Sequence, residues 1–268
     1  MIGGRELVVL AILGMGGTQG YADDTPIQQA IPIPDVTAGS FSLPPDIKVS
    51  DAQLEELARD VQDRNITTVN LADHQEITDD SLKAFENSNG LKELDLNGTG
   101  IHDDGMAHLG GLVNLESLDL SDTRIGDDGL AQLKDLRNLK KLSLKNTSID
   151  DQGLTSLEGM KKLEELDVNG TDIRGEGLTS LKGLTQLQTI DLGNTKLVGL
   201  SLTPLRSLLN LQTLHINNTS ITNQGLSVLR GLPKLQMLNV SCTDVTDEGT
   251  AIFQSIPGFQ PLNVCSER

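Results

Sequence analysis

The sequence predicts an α/β solenoid, an elongated array in which short parallel strands and short helices alternate. Leucine recurs every 24 residues through most of the chain, a threonine stands eight residues after each of these leucines, and within each unit the spacing of apolar residues changes from two to three. A period between about 20 and 50 residues is typical of solenoids, because one unit cannot bury its own apolar face and must stack on neighbours. The leucines are Leu91, Leu115, Leu139, Leu163, Leu187, Leu211 and Leu235, and the threonines are Thr99, Thr123, Thr147, Thr171, Thr195, Thr219 and Thr243.

The unit Leu115–Arg137 illustrates the local structure. Over residues 118–121 leucine alternates with a polar residue, which predicts a short strand with its leucines on one face. Over residues 130–136 leucine recurs every three residues, which predicts a helical or 3₁₀ segment. Asp127 and Asp128 precede that segment, and we expect their carboxylates to accept hydrogen bonds from the free N–H groups at its start.

The strand halves of the units carry a family resemblance. LESLDLSDTRI, LKKLSLKNTSI, LEELDVNGTDI and LQTLHINNTSI resemble the leucine-rich repeat pattern L-x-x-L-x-L-x-x-N/C-x-L, with Thr in place of Asn or Cys. Helical halves such as IGDDGLAQLKDL are similar to the ribonuclease-inhibitor-like and cysteine-containing classes, and the Thr column is similar to that of bacterial exported repeat proteins. The resemblance covers residues 66–259. It implies a curved solenoid with a parallel sheet on its concave side and helices on its convex side, but no specific function.

The threonine column, which runs from Thr99 to Thr243, is predicted to be structural. The resemblance implies that this side chain turns inward and ties adjacent loops together through backbone hydrogen bonds. A Thr hydroxyl suits that role, since it provides one donor and two acceptor lone pairs.

Residues 1–22 are predicted to be a cleaved export signal. Arg5 precedes an apolar run at residues 7–15, and residues 20–22 place small residues at the two positions that a signal peptidase inspects. The run is too short to span a bilayer, which takes about 20 residues. We therefore expect no membrane insertion, and a location outside the cell, in the periplasm or in the cell envelope.

Two segments separate the signal from the repeat domain, which is predicted at residues 66–262 and followed by a tail at residues 263–268. Residues 23–49 are proline-rich and polar, which predicts an extended linker without helix or strand pairing. Residues 50–65 predict a capping helix, because Ser50 and Gln53 fit a capping box and the apolar residues that follow fall on one helical face. Such a helix would cover the open apolar end of the solenoid.

One unit departs from the pattern. Val198 and Leu200 occupy positions that are polar in the other units, and Pro204 lies in the helical half. Two interpretations stay open, an exposed apolar contact patch and the local repacking of a degenerate repeat.

The chain has only two cysteines, Cys242 just after the last regular strand and Cys265 in the tail. In an oxidising compartment a disulfide between them would close a loop of about 23 residues, which is worth roughly 3 kcal/mol in the chain-entropy model. It would pin residues 257–264 over the C-terminal end of the core. Two free thiols are the alternative.

Composition narrows the classes of partner. The 38 acidic and 21 basic residues give a net charge of −17, which argues against nucleic acid and anionic membranes because phosphate binding requires a basic surface. A basic protein fits this charge better. Aromatic residues make up only 2% of the chain and Trp is absent, so leucines must fill the core.

The concave face is the candidate binding surface, because its strand residues alternate with the buried leucines. The middle column is Asp95, Asp119, Ser143, Asp167, Asp191, His215 and Asn239; the first column includes Lys141, and the third includes Lys145. Since strands lie about 4.8 Å apart, the middle column is predicted to be an acidic ladder interrupted at Ser143 and flanked there by the two lysines. Together with Lys141 and Lys145, its residues other than Ser143 are the candidate contacts for a basic protein. A solvated ladder without a partner is the alternative, and the lack of aromatic anchors on this face predicts modest affinity.

Catalytic and metal-binding interpretations are weaker. Asp191, His215 and Ser241 lie on or just after three successive strands and resemble an acid, base and nucleophile, but they would lie on an open face without a pocket or oxyanion donors. The His and Asp residues of 102–108 lack the spacing of a metal site. No cofactor is expected.

The sequence thus predicts a non-catalytic, exported leucine-rich repeat protein that binds another protein through its concave face. Two alternatives stay open. An intracellular substrate-recognition module of the F-box type is disfavoured because residues 1–65 do not resemble an F-box. A structural or polysaccharide-binding envelope protein would use the Asp and Asn columns to bind sugar hydroxyls.

Overall fold

The computed structural model describes residues 39–44, 48–63 and 65–262. The predicted signal, most of the predicted linker and the predicted tail lie outside the described residues. Within the described part of the chain, ten strands form one parallel sheet whose order follows the chain. The strands are β1 (Ser40–Ser42), β2 (Thr68–Asn70), β3 (Glu93–Asp95), β4 (Ser117–Asp119), β5 (Lys141–Ser143), β6 (Glu165–Asp167), β7 (Thr189–Asp191), β8 (Thr213–His215), β9 (Met237–Asn239) and β10 (Gln260–Leu262).

Short helical segments connect successive strands. The α-helices are α1 (Asp51–Asp63), α2 (Met106–Leu109), α3 (Asp127–Gln132), α4 (Asn223–Ser227) and α5 (Asp247–Thr250), and the 3₁₀ segments are Asp80–Phe85, Asp103–Gly105, Gly153–Leu157, Gly177–Gly183, Thr203–Ser207 and Ala251–Phe253. The three-residue spacing of apolar residues predicts either helix type, and both occur. With strands on one side and helices on the other, the predicted α/β solenoid is confirmed.

Leucine ladders form the interior of the solenoid. Leu94 pairs with Leu118, which pairs with Leu142, and this register of one 24-residue repeat continues through the sheet. All three side chains are buried, and burying one leucine stabilises a protein by about 1.5 to 3 kcal/mol. The chain's four phenylalanines all lie in the terminal units: Phe41, Phe85, Phe253 and Phe259. Aromatic rings therefore close the two ends of a core that aliphatic side chains fill.

The sheet begins earlier than the sequence predicts. The expectation of an extended linker over residues 23–49 is wrong at its C-terminal end, because β1 pairs with β2 and places Phe41 opposite Val69. Phe41 and Leu43 are buried, and the N–H groups of Thr67 and Thr68 both donate to the Gly39 carbonyl oxygen, at 2.7 and 3.1 Å. The burial of the two apolar side chains outweighs the proline-rich composition of the segment.

Helix α1 lies within the segment where a capping helix is predicted. Gln53 Oε1 accepts hydrogen bonds from the Ser50 N–H (2.9 Å) and the Ser50 hydroxyl (3.0 Å). In a capping box the Ser50 hydroxyl would accept a hydrogen bond from the Gln53 N–H. Here the Gln53 N–H donates instead to the Ser50 carbonyl oxygen at 3.0 Å. The buried face of α1 packs over the 3₁₀ segment Asp80–Phe85 and consists of Leu54, Leu57, Ala58 and Val61.

The threonine column is inward-facing, but its bonds differ from the prediction. Each hydroxyl donates to the carbonyl oxygen three residues earlier in the same turn, as Thr123 does to Leu120 at 2.6 Å. Adjacent turns are instead joined by backbone bonds, such as that from Asp122 N–H to the Lys145 carbonyl oxygen at 2.8 Å. The threonines therefore brace their own turns. The others that do so are Thr99, Thr147, Thr171, Thr195, Thr219 and Thr243.

The aspartates that open the helical halves also bond differently from the prediction. The sequence predicts that Asp127 caps its own helix, but its Oδ1 accepts from the Asp150 N–H of the next repeat at 3.0 Å, and α3 has no side-chain cap. In the same way Asp103 Oδ1 accepts from the Gly126 N–H at 2.6 Å. These carboxylates accept hydrogen bonds from backbone N–H groups in the turn of the following repeat. They therefore link adjacent repeats and do not cap the start of their own helices.

The C-terminal cysteine prediction falls only partly within the described residues. Cys242 is disulfide-bonded and adopts a left-handed backbone conformation, with φ of 56°. Cys265 lies outside the described residues, so its pairing with Cys242 stays a prediction.

Candidate functional site

The strand register assembles the predicted middle column. Asp95 lies beside Asp119, and Asp167 lies beside Asp191. Ser143 separates the two acidic pairs, while His215 and Asn239 continue the column toward the C-terminal end. Because each of these side chains flanks a buried leucine or isoleucine, all of them lie on one face of the sheet.

The column begins one strand earlier than the sequence analysis places it. Asn70 on β2 lies beside Asp95, and its Nδ2 donates to Asp95 Oδ2 at 2.9 Å. The alternation of Val69 and Leu71 with polar neighbours is the sequence signal that identifies it. One side of the first acidic pair is therefore covered by an amide.

The acidic side chains of the middle column are held by the backbone. Asp119 Oδ1 accepts from the N–H two residues later, that of Ser121, at 2.8 Å. Asp95, Asp167 and Asp191 make the same bond. Asn70 and Asn239 also make it, at 2.9 and 3.1 Å. One oxygen of each carboxylate is thus fixed by its own turn, so these side chains are oriented before any partner arrives.

Burial opposes ionisation in this column. Burial raises the pKa of Asp95, the Asn97 N–H opposes that shift, and the neighbouring Asp119 adds to it. Burial likewise raises the pKa of Asp167, with the Asn169 N–H opposing, Asp191 adding to the shift and Lys145 opposing it. A cation brought to this face would favour the charged form of both carboxylates.

The two lysines near the break have different roles. Lys141 lies in the first column and its Nζ pairs with Glu165 Oε1 at 2.8 Å; this hydrogen bond raises the pKa of Lys141. Lys145 is exposed in the third column, and its charge acts on Asp167. Of the two lysines, Lys145 therefore acts on the acidic ladder, whereas Lys141 is paired with a carboxylate of the first column.

A shallow depression of about 350 Å³ lies over the central strands. Of the predicted contact residues, it brings together Asp119, Lys141, Asp167, Asp191 and His215. Asp95, Lys145 and Asn239 lie outside it. The central acidic and basic side chains thus share one concave area, while the remaining predicted contacts extend it along the sheet.

Asp191 and Ser241, two residues of the weaker catalytic interpretation, make other bonds. Asp191 Oδ1 accepts from the Gly193 N–H at 2.8 Å and from Asn169 Nδ2 at 3.0 Å. The Ser241 hydroxyl donates to the Leu262 carbonyl oxygen at 3.4 Å. Over the described residues, no group of three or more His, Cys, Asp or Glu side chains is arranged to hold a metal ion.

The unit that departs from the pattern exposes some of its apolar side chains. Val198 and Leu200 are 55% and 51% exposed, and a methyl group at Gly199 between them would meet nothing within 4 Å. This exposure is compatible with both interpretations, because single exposed apolar side chains are normal on protein surfaces, so the contact patch stays a prediction. Both side chains lie in the turn between strand and helix, away from the middle column.

No helix in the described part of the chain has the length and apolar character needed to cross a membrane.

Two family models match the chain. One, described as a leucine-rich repeat region, matches residues 89–268, and another, described as a leucine-rich repeat, matches residues 62–85. No curated protein matches the chain at a significant level.

Solved structures share the fold. Internalin C2 from Listeria monocytogenes is 24% identical, with a TM-score of 0.61, over 81% of this chain and 84% of that one. The plant peptide hormone receptor RGFR1, in complex with RGF2, is 18% identical, with a TM-score of 0.56, over 75% of this chain and 32% of that one. The ectodomain of GASSHO1/SCHENGEN3 from Arabidopsis thaliana, in complex with CASPARIAN STRIP INTEGRITY FACTOR 2, is 17% identical, with a TM-score of 0.56, over 84% of this chain and 26% of that one.

Proposed function

Because the chain belongs to the leucine-rich repeat family, we propose that it is an exported, non-catalytic protein that binds a basic protein through its concave face. Leucine-rich repeat folds host many functions, so the proposal rests on the site. The complexes of the two plant receptors support protein binding by analogy of fold. The export signal predicted at residues 1–22 supports a location outside the cell, in the periplasm or in the envelope.

The observation that carries the proposal is the fixed orientation of the four aspartates in the middle column. Each carboxylate is held by the N–H two residues later, at 2.8 to 3.1 Å. A side chain that is already ordered loses little conformational entropy on binding, and this lowers the cost of association. The open side of the column therefore presents negative charge in a fixed geometry.

Electrostatics favour a basic partner. The net charge of −17 attracts cationic surfaces at a distance, and the half-buried carboxylates of Asp95 and Asp167 would gain most from a cation nearby, because burial raises their pKa. Steering of this kind acts mainly on the association rate and weakens as salt screens the charges.

The test is capture of partners from the source's envelope extract on the immobilised chain, at low and at high salt. The comparison is a variant with Asp95→Asn, Asp119→Asn, Asp167→Asn and Asp191→Asn. Asparagine keeps the turn intact, since Asn70 and Asn239 make the same backbone bond in the same column. The matched control, Asp104→Asn, Asp128→Asn, Glu176→Gln and Glu248→Gln, removes the same charge from exposed positions outside the concave face.

We expect a basic protein that the parent and the control retain, that high salt releases and that the concave variant does not retain. Equal capture by the concave variant would contradict the proposal and direct attention to Val198 and Leu200. Retention of a polysaccharide instead of a protein would favour the structural or sugar-binding alternative.

A further inference from the structure

The turns that lead from each helical segment back to the sheet carry a basic surface, which we call the basic edge. Its residues are Lys134, Arg137, Lys161, Lys162, Lys182, Arg206, Arg230 and Lys234, and all are exposed. Lys134, Lys182, Arg206 and Arg230 occupy the same position in their repeats, with Glu158 at that position in the repeat between the first two. The in-register stacking of repeats therefore aligns them in one row, even though the chain as a whole is strongly acidic.

The turns that lead from each strand to the next helical segment carry the opposite charge, and we call this surface the acidic edge. Its carboxylates are Asp103, Asp104, Asp122, Asp127, Asp128, Asp150, Asp151, Asp172 and Glu176, and the basic residues on these turns include Arg124, Arg174 and Lys196. Every repeat leaves the sheet on one side and returns on the other. The two edges therefore lie on opposite flanks of the solenoid.

Within the described residues, ion pairs neutralise only part of each edge. Among the described residues, ion pairs on these flanks include Arg137 with Asp135 at 3.2 Å, Lys140 with Glu116 at 2.6 Å and Lys196 with Asp172 at 2.6 Å. Over those same residues, the side chains of Lys182, Arg206 and Arg230 form no ion pair, and neither do those of Asp104, Asp128 and Glu176. Each flank thus keeps exposed charges of its prevailing sign that form no ion pair, and the prevailing sign of the other flank is opposite.

The acidic edge also concentrates like charge. Burial raises the pKa of Asp127, and the carboxylate of Asp150 in the next repeat adds to that shift. Cations supplied from outside would relieve this repulsion.

We propose that the acidic edge of one copy docks against the basic edge of a second copy, so that molecules of this protein associate side by side. The contact is heterologous, since each copy uses a different flank, and such contacts extend into open arrays when the rotation does not close. The acidic edge spans residues 103–176 and the basic edge spans residues 134–234, so neighbours are staggered along the solenoid.

The strength of this association follows from the charges. Copies with a net charge of −17 repel one another at long range, whereas opposite edges attract at contact, within a screening length of about 8 Å at physiological salt. Exposed ion pairs are individually weak. Association is therefore weak, dependent on protein concentration and lost at high salt.

Sedimentation velocity of the full chain over a range of concentrations tests this proposal. The weight-average sedimentation coefficient should rise with concentration near physiological salt and stay at the monomer value at high salt. A coefficient that does not change with concentration at either salt would overturn the proposal.

Charge-reversal variants separate edge pairing from the effect of net charge. Lys182→Glu, Arg206→Glu and Arg230→Glu reverse the basic edge, and Asp104→Lys, Asp128→Lys and Glu176→Lys reverse the acidic edge. The six side chains make no hydrogen bond with the described residues, so thermal unfolding should confirm that each variant folds. Lys48→Glu, Arg59→Glu and Lys83→Glu form the charge-matched control for the basic-edge variant.

Each edge variant should lose the rise in sedimentation coefficient, while the control keeps it. The acidic-edge variant is decisive, because a less acidic chain would associate more strongly if general repulsion alone governed the behaviour. The variant with both edges reversed has the parent's net charge and should regain association; its failure to do so would overturn the proposal. No edge residue belongs to the concave column, so either proposal can fail while the other stands.

Discussion

Asp103 and Gly129 show how a single residue in one repeat depends on a residue in the next. Asp103 Oδ1 accepts a hydrogen bond from the Gly126 N–H at 2.6 Å, and the carboxylate occupies the space above Gly129. A Cβ atom at Gly129 would lie 2.9 Å from the Asp103 Cα, closer than atoms pack in real proteins. The glycine of the Asp-Asp-Gly runs is therefore required by close contact between repeats.

We expect Gly129→Ala to destabilise the protein by about 1 to 3 kcal/mol, because the added methyl group must displace the Asp103 backbone. Urea unfolding followed by circular dichroism measures this change. The control is Gly231→Ala, where a Cβ meets nothing within 4 Å and the effect should stay within about 0.5 kcal/mol. Equal effects of the two substitutions would contradict the proposed contact.

Asp95 and Asp167 are also expected to reduce stability at neutral pH. Burial raises the pKa of both carboxyls above that of the unfolded chain, so folding favours their protonated form. Their contribution is therefore most favourable below the unfolded pKa and is lost as pH rises through the folded pKa.

We expect Asp95→Asn with Asp167→Asn to raise the melting temperature at about pH 7, by an amount equivalent to about 0.5 kcal/mol after allowance for solvent screening. The gain should disappear at about pH 3, where the parent carboxyls are protonated. Differential scanning calorimetry at the two pH values measures this difference. A gain that is equal at both values would show that charge is not its cause.

At the scale of the element, the strands could be predicted more fully than the bonds between them. The alternation of leucine with polar residues locates β3 to β9, and the 24-residue period gives their register. The same spacing does not reveal whether the side chain of Asp127 turns toward its own helix or toward the next repeat, because both donors lie nearby. The middle column could likewise be placed from the sequence, whereas the backbone bond that holds Asp119 depends on the turn that follows.

Strand β1 shows where composition misleads. The proline-rich character of the surrounding segment predicts a linker, but Phe41 and Leu43 are buried at the open end of the leucine core. A terminal repeat must cover apolar surface that no neighbour covers. Whether a segment must cover the end of the core depends on the whole array. The local sequence indicates this role only through the alternation of polar and apolar residues at 40–43.

We expect Phe41→Ser to loosen the N-terminal end without unfolding the solenoid. Loss of the buried ring removes the main apolar contact of β1, and contacts in a solenoid are largely limited to neighbouring repeats. Hydrogen exchange should become faster at the Thr67 and Thr68 amides, which donate to Gly39. Exchange at the Ile216 amide, which donates to Asn239, should not change; faster exchange throughout would instead indicate global destabilisation.

At the scale of the whole molecule, the two ends differ from the interior. Leucine rungs fill the middle, whereas the phenylalanine rings and α1 lie in the terminal units. The rings of Phe253 and Phe259 lie 5.3 Å apart at the C-terminal end. The predicted bond between Cys242 and Cys265 would add a covalent cover there.

We expect reduction of that disulfide, or Cys242→Ser with Cys265→Ser, to lower the free energy of unfolding by about 3 kcal/mol. Mass spectrometry without reduction should find the chain lighter by two hydrogens than its reduced form. Urea unfolding with and without reductant measures the loss of stability. An unchanged mass after reduction would show that the two thiols are free.

The constant register between β3 and β9 has a consequence at the level of the gene. In the units that begin at Leu91, Leu115 and Leu139, an Asp side chain accepts hydrogen bonds from backbone N–H groups of the next unit. These bonds form the seam between successive units. Loss or duplication of one such unit by unequal recombination would keep the reading frame and join equivalent seams. The length of the concave face can therefore change in steps of one strand during evolution, while the specialised ends stay as they are.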